Sequence, residues 1–321
     1  MMRDAGGEVR GLPRELVVVW AVFLVVATEI LVTYTRTPPE KLYHVSGEGF
    51  FAAAGRVLVF TSFPLALVAL PLVLLLVDRL PGRLAEGLAV AGLALSAVVF
   101  WPGVVDQADL DAKPVNVLPA LGVAIAAVMT IAVASRGGVE RWQARLRNDW
   151  LRVALAAVPV PLAVPWFLAD LGLSLNGVPV LGSIWQTGEL RVQPGVVGLH
   201  PAVHHGHHHG MDGLLLVWTS LLVSRTLPAV RGRIVRRLAA AFLSLMLAYG
   251  IGEIANDFWV EQVVKRGWTD WEIPDVTVPS ISVGWLLIVI GAAAVYRFWF
   301  SREDRPDGEV ALSSRAANPL T

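Results

Sequence analysis

Eight runs of apolar residues leave this chain few ways to fold. They lie near residues 15–35, 51–77, 85–105, 115–135, 151–172, 211–227, 233–260 and 279–300. A helix needs about 20 such residues to cross a hydrocarbon core, and each run meets or approaches that length. Only 16% of the chain is charged and 55% is hydrophobic. Soluble domains carry roughly a quarter charged residues, so the expected class is an all-α integral membrane protein. The expectation is one transmembrane helical domain over 1–300, a polytopic bundle of about eight spans, followed by a polar cytoplasmic tail from 301 to 321. The second and fifth runs contain prolines (Pro64 and Pro71; Pro159, Pro161 and Pro165). Proline is tolerated in spanning helices, mostly as a kink, and the fifth run is the one expected to bend or break.

Basic residues orient the bundle. The N-terminus and alternate connections carry 18 Arg residues, among them Arg10, Arg79, Arg136, Arg145, Arg225, Arg233 and Arg297. The remaining connections hold Arg36, Lys41, Lys113, Arg191, Lys265 and Arg266, which is only 6. The positive-inside rule then puts both termini in the cytoplasm, as an even number of spans requires. The first run continues through Thr28-Glu29-Ile30 to Tyr34, longer than a signal-peptide core, and reads as an uncleaved span. The expected location is the cell membrane, in contact with the lipid bilayer. Zero net charge gives no support for nucleic-acid binding, and the basic connections are the ordinary topology signal. Nothing in the sequence identifies a protein partner.

The connection from 173 to 210 is too long for a simple turn, and loops of that length are usually functional or disordered. Within it, Val180–Trp185 and Leu190–Gln193 flank Gln186-Thr187-Gly188-Glu189 in a pattern that suits a small hairpin. Its end holds six of the seven histidines: His200, His204, His205, His207, His208 and His209. Imidazole is the commonest metal ligand, so this density is chemical information. With no cysteine in the chain, thiolate metal sites and disulfides are excluded. If a helix starts near Pro201, a residue suited to a first helical position, His200, His204 and His208 share one face with Asp212 a turn further on. Gly206 and Gly210 oppose a rigid helix here. The alternative is a loop whose histidines converge, or one that is merely solvated.

The seventh run supplies the carboxylates. Glu253, Asp257 and Glu261 recur at four-residue spacing, with Tyr249 one turn deeper. The sixth run begins on the extracytoplasmic side and the seventh ends there, and a short connection makes them antiparallel neighbours. Histidines and carboxylates therefore fall at one depth, the ligand supply used by zinc and by non-haem iron. Intramembrane carboxylates cost about 2.5–3.5 kcal/mol each on insertion scales and usually mark pathways or sites. Glu29, Asp170 and Glu253 all fall in the extracytoplasmic half. Arg56 is the basic residue within an apolar run there, and is expected to pair with Glu29 or Asp170. His44 is a lesser candidate ligand, and Met211 is expected to pack.

The functional expectation is a divalent transition-metal site on the extracytoplasmic side, formed by these six histidines with Glu253 and Asp257. Zinc is the first expectation, with copper or iron as alternatives. If the metal is catalytic, in a membrane-embedded hydrolase or oxidoreductase, Glu253 is the candidate general base. A metal transporter is a further alternative, as is a structural or assembly protein with a non-functional His-rich loop. No phosphate-binding loop, His-Glu-x-x-His or Gly-x-Ser-x-Gly motif is present.

Overall fold

The computed structural model describes residues 10–36, 46–104, 111–163, 190–192, 199–201, 208–264, 267–274, 276 and 280–302. Among the described residues the main α-helices in chain order are α1 (Arg14–Arg36), α2 (Gly49–Ser62), α3 (Pro64–Val77), α4 (Arg83–Ala97), α5 (Val117–Gly137), α6 (Asp149–Ala157), α7 (His208–Ser224), α8 (Arg233–Trp259) and α9 (Val283–Val295). Two three-residue strands, β1 (Leu190–Val192) and β2 (Leu199–Pro201), precede α7. Among the described residues five helices are long and apolar enough to cross a membrane, or six when the pair α2–α3 counts as one span. This is the build of a helical membrane protein. A helix stands at each of the eight apolar runs. The described part of the fifth is short, and the sixth is a shorter apolar helix.

The 45° bend between α2 and α3 has a local cause. Pro64 takes the first position of α3, and Phe63 before it has φ −122° and ψ −83°, outside the helical region. Proline lacks an N–H and disfavours helical backbone in the residue before it. In the fifth run the helix stops at Ala157 and turns at Val158-Pro159 before resuming to Ala163.

The core sits around α3. Its apolar residues run right around the axis, and Leu65, Ala66, Val68, Leu72, Val73 and Leu76 are fully buried. A helix apolar on every side is an interior helix, and α3 packs on α2, α4, α5, α7 and α8. The outer helices instead expose large apolar side chains: Leu24 and Val25 on α1, Val90 on α4, Val128 and Ile131 on α5, Leu286 and Leu287 on α9. In water such faces would be a liability, whereas lipid covers them.

The basic connections gather at one end of the bundle. Leu12 bridges the segment after α5, accepting from Glu140 N at 2.8 Å and donating to Gly138 O at 2.8 Å. Arg79 pairs with Glu140 at 2.7 Å, and Arg10 reaches Asp78 at 3.5 Å and Ala229 O at 2.7 Å. Asp78 also accepts from the backbone N–H groups of Arg231 and Gly232. Burial, with Arg79 and Arg231 nearby, lowers the Arg10 pKa from its ordinary value. Arg152 lies 5.1 Å over the Trp299 ring, which brings the end of α9 to the same place. Segments expected on one side of the membrane are thus together.

One local expectation is corrected. Leu190 opens β1, which pairs with β2, with Arg191 opposite His200. Val180–Trp185 lies outside the described residues. His200 and Pro201 are extended backbone, so Pro201 does not begin a helix, and the described part of α7 begins at His208. Residues 202–207, which include His204, lie outside the described residues.

Candidate functional site

The site is framed by α7 and α8, an antiparallel pair packed along most of its length. Glycine sets how close they come. A Cβ built on Gly213 would sit 2.7 Å from Gly250 O, and one on Gly250 would sit 2.9 Å from Gly213 O. Only glycine at both positions allows such a backbone approach, the small-residue packing by which helices associate in lipid. The close crossing fixes the depth of every side chain further along the pair.

One turn nearer the end of the bundle, Gly210 faces Asp257. A Cβ on Gly210 would lie 2.8 Å from Asp257 Oδ2. The Asp257 carboxylate therefore rests against the backbone just after His208 and His209, which are the first two residues of α7. Glu253 lies a turn deeper on α8 and is fully buried, at 0% exposure. Asp212 projects from the first turns of α7 and is also buried. Its Oδ1 has no hydrogen-bond partner among the described residues.

A third helix joins them. Glu29 stands on α1, which packs against α7. Glu29 is buried and accepts a hydrogen bond from Thr33 Oγ1 at 2.8 Å. Four carboxylates from three helices thus share one region at the end of the bundle away from the basic connections. A concentration of anionic groups in a low-dielectric interior is what a cation would neutralise. Among the described residues, however, no three His, Asp or Glu side chains stand close enough to hold a metal ion.

The expected site residues separate as follows. Glu253 and Asp257 lie on neighbouring turns of α8, with Asp257 touching the start of α7. Glu261 falls in the π-helical turn Val260–Val264, past the end of α8. His200 is in β2. His204, His205 and His207 lie outside the described residues, as do His44 and Asp170. Tyr249 is a packing residue: its ring stacks on Trp285 at 5.2 Å and meets Phe63 edge-on at 6.4 Å. Met211 is buried in the bundle, where it packs.

Arg56 pairs with Asp111, a partner not expected from the sequence. The first turns of α2 face the segment that leads into α5, and Ser46 donates to the same carboxylate. The Tyr34 ring, 5.5 Å from the Arg56 guanidinium carbon, closes the other face of that side chain.

A second polar cluster, at the basic end, was missed. Glu15, fully buried on α1, pairs with Arg225 at 3.4 Å and accepts from Gln143 N at 3.2 Å. Arg225 also pairs with Asp149 at 3.2 Å and donates to Gln143 O at 3.0 Å. Arg152 donates to Ser224 Oγ at 3.1 Å and pairs with Asp149 at 3.3 Å. The available signal was Arg152, a basic residue inside an apolar run. Compared with protein-family models, with curated proteins and with solved structures, the chain gives no match in any of the three.

Proposed function

We propose that this is a multi-pass membrane protein that binds a divalent transition metal at the extracytoplasmic end of its bundle. In this reading eight spans place both termini in the cytoplasm, and the His-rich stretch faces outward. Histidines from the 200–209 stretch form one wall of the site and Glu253 with Asp257 the other. Zinc suits the mixture of imidazole and carboxylate ligands.

The observation that carries the reading is the seating of the Asp257 carboxylate against Gly210, directly behind His208 and His209, with Glu253 buried a turn deeper. Metal–ligand bonds are only about 2.0–2.3 Å long, so the two walls must lie at one depth on adjacent helices. The α7–α8 crossing at Gly213 and Gly250 supports that condition. Buried carboxylates are costly in a membrane unless something compensates them, and a bound cation does so.

Cobalt(II) offers a test. Added to chelator-stripped protein, it should develop the visible absorption of a low-coordinate site and be displaced by zinc. Glu253→Gln together with Asp257→Asn should abolish that spectrum. A spectrum unchanged in the double variant, or none in the wild type, would overturn the reading.

A further inference from the structure

A cavity of about 370 Å³ lies between α1, α6 and α7, at the basic end of the bundle and away from Glu253 and Asp257. Its volume falls in the range of small-molecule sites. Val18, Val153, Ala156, Trp218, Leu221 and Leu222 make its apolar wall, while Asp149, Arg152 and Arg225 form its polar part. It is not sealed, since Val153 on its rim is 69% exposed. Trp150, beside it on α6, is also exposed, and tryptophan is favoured at the membrane–water interface.

The charges inside the cavity balance: Arg152 and Arg225 are matched by Asp149 and Glu15. One donor remains. Arg225 Nε is buried and has no hydrogen-bond acceptor among the described residues. A buried unpaired donor in a native structure calls for an explanation. The segment before α6 adds unbalanced positive charge. Arg141, Arg145 and Arg147 are exposed, and no ion pair forms on them among the described residues. That segment is not loose, because Gln143 is clamped by Glu15 and Arg225, and Leu146 N donates to Asp149 Oδ2 at 3.0 Å.

We propose that this cavity holds an acyl chain of an anionic phospholipid, whose phosphodiester headgroup is bound by Arg145 and Arg147 and accepts from Arg225 Nε. A largely apolar cavity, with a segment of exposed arginines held through Gln143 and Leu146 to its lining residues Arg225 and Asp149, matches such an amphiphile in both shape and charge. Basic pockets between spanning helices are a general means of holding anionic headgroups.

Delipidated full-length protein in detergent tests the idea, using phosphatidylglycerol and phosphatidylcholine of identical chains. Native mass spectrometry should show about a tenfold preference for phosphatidylglycerol, the order expected of two guanidiniums at one headgroup. Thermal unfolding should show a matching upward shift with that lipid alone. Val153→Trp, which fills the cavity from its exposed rim, should remove the preference. Arg145→Gln with Arg147→Gln should do so as well, and both variants should keep the unliganded melting temperature. Equal retention of the two lipids would overturn the proposal, as would an unchanged preference in either variant. A shift reproduced by inorganic phosphate would also overturn it, because the acyl chain would then be irrelevant.

Discussion

The carboxylate of Asp257 lies so close to Gly210 that a methyl group added at Gly210 would stand 2.8 Å from Oδ2. The contact joins the carboxylate-bearing end of α8 to the residue that follows His209. Replacing Gly210 by Ala leaves the helix formers intact and drives the Asp257 side chain away. Gly210→Ala should therefore weaken metal retention severalfold while changing the melting temperature little. Measuring both on one preparation separates a displaced ligand from a damaged fold.

Gly213 behaves differently, because beside the Ile254 Cγ1 at 2.7 Å its Cβ would meet two backbone atoms, Gly250 O at 2.7 Å and Ile254 N at 3.2 Å. The backbone atoms cannot rotate aside. Gly213→Ala should destabilise the protein by about 1–3 kcal/mol, the usual range for overpacking. Denaturant unfolding in detergent reads this directly, and Gly87→Ala on α4, where a Cβ meets nothing within 4 Å, is the control.

What the sequence disclosed and what it hid follow from the range of the forces involved. The Pro64 bend is a property of one residue and its neighbour, so it could be read locally. The apolar runs were legible because length and composition decide whether a helix can cross lipid. The pairing of α7 with α8 followed from a short connection and orientation, but the Gly213–Gly250 approach that sets its depth is a tertiary fact. Arg56 with Asp111 and Glu15 with Arg225 join residues far apart in the chain, and no spacing rule relates them. Pro201 misled because proline suits a helix start and a strand end alike, and the pairing of His200 with Arg191 decides between them.

The Glu15–Arg225 pair should be structural. Glu15 is wholly buried, so Arg225→Met strands its charge and should cost about 3–5 kcal/mol. Adding Glu15→Gln should recover much of that loss, since the orphaned charge is gone. The four-protein cycle, measured by denaturant unfolding, gives the coupling energy, and additive losses would contradict the pairing.

The absence of cysteine makes the orientation simple to measure. A single cysteine at Ala202→Cys should react with an impermeant thiol reagent added outside intact cells. One at Ser301→Cys should react only after permeabilisation. The reverse pattern would invert the bundle, and labelling of both from outside would contradict the three spans expected between them.

The pairing of the histidine stretch with Glu253 and Asp257 is tested most directly by metal analysis of purified, dialysed protein. Wild type should retain about one zinc per chain, the stoichiometry of a single site. Occupancy should fall to background in Glu253→Gln/Asp257→Asn and equally in His204→Ala/His205→Ala/His207→Ala. Zinc retained undiminished when the carboxylates are removed, or no metal in the wild type at all, would contradict the account.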